Sequence, residues 1–237
     1  MYKLLKLNDF RQFKNMDILL GKRLTVLAGR NSTGKSTILG VLANSGELKK
    51  KDGTTYSDGQ FRAEFSEIFH GSKKYDASGS DRIQIDIVDE NDNKIDYRKF
   101  RTAWQNDNGR DRFRVIPLKL LDGGKKTEAK MQIPVLYLGL SRLFPIGEAN
   151  EDKITTNKIK FIDDEQKKWF IEQYAKILSL YDTVTDVSNY SIGETDKKKG
   201  VGIETDKYDY LTNSSGQDNL GQILMSILSF KRLKKQR

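Results

Sequence analysis

The residues from Gly29 to Ser36 follow the pattern G-x-x-x-x-G-K-[ST] in full. Glycines at both ends of such a loop let the backbone curl until successive N–H groups face inward, where they can bind phosphate oxygens. Lys35 would contact the β- and γ-phosphates, and the Ser36 hydroxyl is suited to bind Mg²⁺. The remaining candidate contacts are Gly29, Asn31, Ser32, Thr33, Gly34 and Thr37. The loop therefore predicts a site for ATP with Mg²⁺, in which Ser36 is the metal ligand.

The elements on either side of this loop have to hold it in place. Residues 23–28 form a compact apolar run of β type, which predicts a strand that leads into the loop. After the loop, apolar side chains recur at the spacing of one helix face. These helical positions are Ile38, Leu39, Val41 and Leu42. A strand, a glycine loop and a helix in this order are the context in which the motif binds phosphate.

A second polar loop, residues 213–219, leads into an apolar helix that the pattern places at 220–230. By itself such a loop is an ordinary helix N-cap. Combined with the phosphate-binding loop, it becomes a candidate for nucleotide contact. The candidate residues are Ser214, Ser215, Gly216 and Gln217.

Together these motifs resemble the head domain of ABC-type ATPases, and within it the SMC, RecF and OLD-like group, which comprises AAA-family ATPases of DNA repair and phage defence. The resemblance is carried by the phosphate-binding loop, by Asp9-Phe10-Arg11-Gln12-Phe13 and by Ser214-Ser215-Gly216-Gln217. In this group the second motif is the signature LSGGQ, which completes the nucleotide site of the opposite subunit. Here Asn213 replaces the leucine and Ser215 the first glycine.

The resemblance implies a homodimer or hetero-oligomer with nucleotide sandwiched between subunits. Ser214 and the start of its helix would face a γ-phosphate held by the partner's Lys35. Arg11 resembles the group's basic residue near the nucleotide, and the alternative is a surface arginine at an edge turn. Gln132 and the segment 141–142 lie where the group has its Q-loop, and the residue with that role stays open.

The same resemblance raises the question of catalytic carboxylates. An ABC-type head continues after the signature helix into an apolar Walker B strand that ends in Asp-Glu, whereas the sequence ends with residues 231–237. Residues 85–90 are rejected as Walker B, because they precede the signature, Asp86 interrupts the apolar run and a hairpin turn follows. We expect a head truncated before Walker B, whose hydrolysis is completed by a partner subunit or a missing C-terminal part.

Two alternatives remain. The first is a non-hydrolysing nucleotide- or DNA-binding regulatory subunit that lacks Walker B. The second is a P-loop kinase or GTPase, which would leave the loop at 213–219 without a role; the sequence has no NKxD-type guanine motif.

Composition excludes several other classes. The 237 residues include no cysteine, which excludes disulfide scaffolds, iron–sulfur sites and thiol catalysis, and His70 is the only histidine. Apolar runs are too short to span a membrane, and the N-terminus reads as a strand instead of a signal peptide, so a cytoplasmic protein is expected. The net charge of +9 and the basic run 231–237 make DNA a possible partner. The alternative for that run is a solvated helix end.

The predicted fold is α/β, a P-loop NTPase of ABC-ATPase type with an antiparallel β lobe and a helical insertion. Strand-like segments recur between Phe61 and Leu121, with a hairpin turn at 91–94. The apolar run at 133–140 predicts a strand buried on both faces. The segment 161–180 predicts a helix capped by Asp163 and Asp164. The expected single, partial head has four segments. They are 1–48 with N-terminal strands and the phosphate-binding loop, 49–130 with the β lobe, 131–182 with the buried strand, a Q-loop-like turn and the helix, and 183–237 with the signature motif and its helix.

Overall fold

A computed structural model describes residues 1–57, 59–121, 125–144, 146–180, 182–193 and 198–235. In these residues the helices are Lys35–Asn44 (α1), Phe65–Ile68 (α2), Asp164–Leu178 (α3) and Ser215–Lys235 (α4). The strands are Tyr2–Phe10 (β1), Phe13–Leu19 (β2), Gly79–Val88 (β3), Lys94–Asp107 (β4), Arg110–Leu120 (β5), Lys126–Thr127 (β6), Ile154–Lys158 (β7), Val184–Ile192 (β8) and Lys198–Thr205 (β9). No helix in these ranges is long and apolar enough to cross a membrane.

The chain divides into two compact units. The N-terminal unit comprises residues 1–47 and 62–137, and the C-terminal unit comprises residues 48–61 and 138–237. The phosphate-binding loop, residues 29–36, belongs to the N-terminal unit. The loop 213–219, called the signature-like loop from here on, belongs to the C-terminal unit. Each loop is therefore held by a core of its own.

The N-terminal unit is built on an antiparallel sheet of order β2-β1-β3-β4-β5-β6. One face of the sheet packs against α1 and α2, since side chains of all these elements share one core. Leu5 pairs with Ile85 and Leu7 with Ile83, so apolar residues alternate into this core. The antiparallel lobe and the hairpin between β3 and β4 are thus confirmed. The segment 61–65 was expected to be strand-like, but it forms no strand, and α2 begins at Phe65.

Two predicted strands of this region are absent from the described residues. Arg23–Ala28 forms no strand, and Leu24 and Val26 are 77% and 76% exposed. Ile133–Leu140 is irregular until a 3₁₀ turn begins at Leu140, so the expectation of a strand buried on both faces is wrong. An extended segment becomes a strand only where a neighbour binds its N–H and C=O groups. Among the described residues neither segment forms a ladder of backbone hydrogen bonds with a neighbour, and no parallel sheet forms.

The C-terminal unit combines the antiparallel sheet β7-β8-β9 with α3 and α4. Its core includes Phe170 and Tyr174 from α3, Val187 from β8 and Leu228 from α4. The predicted helix at 161–180 is confirmed as α3, and Asp163 caps it by accepting a hydrogen bond from the Gln166 N–H. The helix expected at 220–230 is present as α4, but it begins earlier, at Ser215 within the expected loop, and extends to Lys235.

Candidate functional site

The phosphate-binding loop ends directly at the start of α1. Gly34, at φ +86°, precedes the first helical residue, Lys35, and its carbonyl accepts the first helical hydrogen bond, from the Ile38 N–H at 3.1 Å. The loop therefore opens a helix, as the motif predicted. Its free N–H groups lie at the positive end of the helix dipole, where an anion is favoured.

Gly34 is required by space as well as by conformation. A Cβ at this position would lie 2.1 Å from Gln12 Nε2 and 2.3 Å from Phe13 Cζ. The turn between β1 and β2 thus packs against the phosphate-binding loop at Gly34. Sequence patterns did not single out Gln12 and Phe13 as neighbours of the loop, although they stand next to Arg11 in the segment that carried the resemblance.

Lys35 folds back into its own loop. Its Nζ donates to the carbonyl oxygens of Gly29 at 2.8 Å and Arg30 at 2.6 Å. The Thr33 hydroxyl also donates to the Arg30 carbonyl, at 2.9 Å. The ammonium group is thereby held by carbonyl oxygens of its own loop.

The remaining loop residues differ in exposure. Asn31, Ser32 and Ser36 are exposed, whereas Thr37 is buried in α1. The Ser36 hydroxyl is accordingly accessible to a metal ion. Ser32 has φ +64°, a left-handed conformation that is uncommon outside glycine and marks a constrained loop tip.

The segment around the loop is uniformly cationic. Between Asp17 and Glu47 the sequence contains no acidic residue. It contains Lys22, Arg23, Arg30 and Lys35. A one-signed cluster of charge raises the local concentration of anionic ligands, so it favours phosphate binding at this loop.

Arg11 is held within the N-terminal unit. Its Nε lies 3.2 Å from Asp76 Oδ1, and its guanidinium lies over the rings of Phe65 and Phe69 at 5.2 and 4.7 Å from their centroids. The side chain is largely buried. Arg11 lies in the edge turn between β1 and β2, as the alternative expected, and its described contacts there are structural.

The carboxylates of Asp86, within β3, and of Asp89, just after it, make structural contacts. Burial opposes the ionisation of Asp86, but hydrogen bonds from Lys94 and Gln84 lower its pKa. The pKa of Asp89 is lowered by hydrogen bonds from Asn93 and Asn91 in the hairpin turn. These residues support the rejection of this segment as Walker B. In the described part of the chain, no group of three or more His, Cys, Asp or Glu side chains could hold a metal ion.

In the C-terminal unit, the signature-like loop forms a reciprocal helix cap. The Ser214 N–H donates to Gln217 Oε1 at 2.7 Å, and the Gln217 N–H donates to Ser214 Oγ at 3.4 Å. The Gln217 side-chain amide also donates to the Tyr208 hydroxyl, at 2.8 Å. Ser215 and Gly216 form the first positions of α4. Two of the three motif residues that match the signature, Ser214 and Gln217, thus bind each other.

Two buried polar residues flank this cap. The Asn213 side-chain amide can pair with both backbone groups of Ile203, at 3.1 and 2.9 Å. Asp218 is fully buried, and its Oδ2 accepts from the Ile146 N–H at 3.0 Å and from the Tyr190 hydroxyl at 3.2 Å. Burial raises the pKa of Asp218 to about 6, although both hydrogen bonds oppose the shift. Sequence patterns gave no signal for Asp218, because a polar residue after an N-cap is normally solvated.

Arg142, from the region compared with a Q-loop, contacts the signature helix. Its Nε donates to Asn219 Oδ1 at 2.7 Å, and its Nη1 donates to the carbonyl oxygens of Leu138 and Gly139 at 2.6 and 2.8 Å. Gln132 is exposed in the N-terminal unit. Of these two candidates, Arg142 is the one that the structure connects to the motif.

Comparison with known proteins gives one match. A family model described as an AAA ATPase domain matches residues 1–236, nearly the whole chain. No curated protein and no solved structure matches. The match covers both the phosphate-binding loop and the signature-like loop.

Proposed function

We propose that this chain, which belongs to the AAA ATPase domain family, binds ATP with Mg²⁺ at residues 29–36. The observation that carries the proposal is the position of the Lys35 ammonium, which lies inside the loop on the carbonyl oxygens of Gly29 and Arg30. The non-bridging oxygens of a triphosphate share a negative charge, so they compete with these neutral acceptors for the ammonium.

The residues of the loop fit such a ligand. The backbone N–H groups from Gly29 to Gly34 and the start of α1 would bind phosphate oxygens, and Lys35 would neutralise them. The exposed Ser36 hydroxyl would be a ligand of Mg²⁺, which supplies further charge neutralisation when bound. The cationic segment around the loop supports this assignment.

The finer proposal is a cytoplasmic head domain of the SMC, RecF and OLD-like group. In it, ATP binding would join two subunits through the nucleotide, and hydrolysis would drive a DNA-linked process such as repair or anti-phage defence. The cap at Ser214 and Gln217 supports this role, because it presents the start of a 21-residue helix as the signature does. The carboxylates for hydrolysis would come from a partner subunit or from a further part of the protein.

A second candidate is a regulatory subunit that binds nucleotide or DNA without hydrolysis. It is favoured by the carboxylates of Asp86 and Asp89, which are engaged by Lys94 and by the hairpin turn. Both carboxylates thus have structural roles, and neither is assigned to water activation.

Calorimetry with ATP and Mg²⁺ tests the binding proposal. Lys35→Ala should weaken binding by about tenfold to a hundredfold, the usual effect of a charge-assisted hydrogen bond. The control, Lys22→Ala, removes the same charge from the same cationic segment and should change the affinity less than threefold, a small fraction of that effect. Absence of binding, or equal affinities for the unmodified chain and Lys35→Ala, would refute the proposal. Lys35-dependent phosphate release by the chain alone would exclude the regulatory candidate.

A further inference from the structure

A cavity of about 440 Å³ is lined by residues of α3 and α4 in the C-terminal unit. Its volume lies within the range of small-molecule and cofactor sites. Leu228 and Trp169 give it an apolar wall, and Gln166, Lys168 and Lys231 give it polar groups. None of these residues belongs to the phosphate-binding loop or to the signature-like loop.

Trp169 is the first indication of a ligand. The ammonium of Lys231 lies over the indole, 3.7 Å from the ring centroid, although Lys231 is on α4 and Trp169 is on α3. An indole face that attracts a cation is also a surface on which an aromatic base can stack. The flexible stem of Lys231 allows its ammonium to leave the ring for a nearby phosphate.

Gln166 is the second and independent indication. Its side chain is 4% exposed, and its Oε1 accepts a hydrogen bond from the Tyr56 hydroxyl. Its Nε2 is buried and has no hydrogen-bond partner among the described residues. Buried donors are normally paired, so an unpaired amide in the wall of a cavity points to an acceptor supplied by a ligand.

The charge near the cavity indicates the class of ligand. Residues 231–237 contain five basic residues and no acidic one. The first residue of this run, Lys231, lies on α4 and lines the cavity. The fold thus brings Lys231, remote in sequence, to the tryptophan of α3.

We propose that this cavity binds single-stranded nucleic acid, with one base stacked on Trp169 and the adjacent phosphate on Lys231. A base carries carbonyl and ring-nitrogen acceptors, one of which would pair with Gln166 Nε2. The combination of an aromatic platform and flanking cations is the one that single strands require.

The acidic residues of the lining favour a nucleic acid over an acidic polypeptide. Glu165 and Glu172 line the same cavity, and Glu172 Oε1 lies 3.9 Å from Lys168 Nζ. Carboxylates repel phosphates and peptide carboxylates alike, but they can accept hydrogen bonds from the exocyclic amino groups of bases, which acidic side chains lack. The inference goes beyond ATP binding and does not depend on it, although it would supply the nucleic-acid contact of the proposed DNA-linked role.

Fluorescence anisotropy with a labelled 20-nucleotide single-stranded DNA of mixed sequence tests the site without added nucleotide. Trp169→Leu should weaken binding by about fivefold to a hundredfold, the range measured for loss of base stacking. Lys231→Gln should reduce the salt dependence of log K by about 0.7, the value for one phosphate contact of a single strand. The matched control is Lys176→Gln, an exposed position of α3 that does not line the cavity.

A second variant keeps the test valid if Trp169→Leu fails to fold. Trp169→Phe preserves an aromatic face and should bind within about threefold of the unmodified chain, since stacking tolerates any aromatic ring. It also leaves Trp104 as the only tryptophan. Quenching of tryptophan fluorescence by the oligonucleotide should therefore be present in the unmodified chain and absent in Trp169→Phe.

Three results would overturn the inference. They are equal DNA binding by the unmodified chain and Trp169→Leu, equal salt dependence for Lys231→Gln and Lys176→Gln, and competition by polyglutamate as strong as by unlabelled DNA, which would assign the cavity to an acidic polypeptide. Lys35→Ala should bind the oligonucleotide as the unmodified chain does. Failure of ATP binding and failure of this site are thereby measured separately.

Discussion

The two loops with nucleotide-binding patterns are held in opposite ways. The phosphate-binding loop, residues 29–36, is mostly exposed, and its lysine is bound only by carbonyl oxygens of the same loop. The signature-like loop, residues 213–219, is closed by the reciprocal cap of Ser214 and Gln217 and contains two buried polar residues, Asn213 and Asp218.

This difference separates binding from stability. In the phosphate-binding loop, exposed side chains can change without loss of packing, so their substitution should affect ligand affinity. In the signature-like loop the same residue types support the fold, so their substitution should affect the free energy of unfolding. The two glycines show the opposite. Gly34, in the exposed loop, is packed against the β1–β2 turn, whereas Gly216, in the signature-like loop, has room for a side chain.

The largest effect is expected from Gly34→Ala. Alanine is strained at φ +86°, and its methyl group would meet Gln12 and Phe13. We expect the free energy of unfolding to fall by about 2 to 5 kcal/mol, as strain and overpacking add. Urea denaturation measures the loss, and ATP affinity should fall with it.

Gly216→Ala is the matched control in the other loop. The only atom near its new Cβ would be Ser214 Oγ at 3.8 Å, and the position is helical. We expect the free energy of unfolding to stay the same or rise by up to about 1 kcal/mol. Equal losses in the two glycine variants would contradict the comparison.

The next effect is a pH dependence that originates in Asp218. Its pKa of about 6 in the fold exceeds the ordinary 3.8 of aspartate. The stabilisation from its protonated form is complete below pH 3.8 and is lost as the pH rises through 6. The unmodified chain should therefore lose up to about 3 kcal/mol relative to Asp218→Asn between pH 4 and pH 7.

Unfolding by urea at intervals of pH measures this difference. Asparagine retains an acceptor for Ile146 and Tyr190 but does not ionise. Asp164→Asn, at an exposed position of α3, is the control and should leave the pH profile unchanged. Parallel profiles for the unmodified chain and Asp218→Asn would show that Asp218 titrates in the fold as it does in water.

The smallest expected changes in the free energy of unfolding come from one serine in each loop. Ser214→Ala removes a helix cap and should lower the free energy of unfolding by about 1 kcal/mol. Ser36→Ala, at an exposed position, should leave it within about 0.5 kcal/mol. Calorimetry should show the reverse for ligand, because Ser36→Ala alone removes a hydroxyl from the proposed Mg²⁺ site. A loss of stability in Ser36→Ala as large as in Ser214→Ala would remove the distinction.

Much of the local structure could be predicted because its causes are local. Asp163 caps α3, the residues 91–94 close a hairpin, and Gly34 with Lys35 opens α1, each through bonds between residues close in sequence. The same holds for the cap at Ser214 and Gln217. Such features depend only on the types and spacing of residues that are close in sequence, so they can be predicted from it.

The sequence by itself determined the phosphate-binding pattern, the helix caps and the alternation of the antiparallel lobe. Only the tertiary structure decided that residues 23–28 and 133–140 are not strands, that Arg11 binds Asp76, and that Trp169 meets Lys231. The physical reason is that β structure and ion pairs need partners distant in sequence. An apolar run indicates a propensity for β structure, but it does not indicate whether another strand lies beside it.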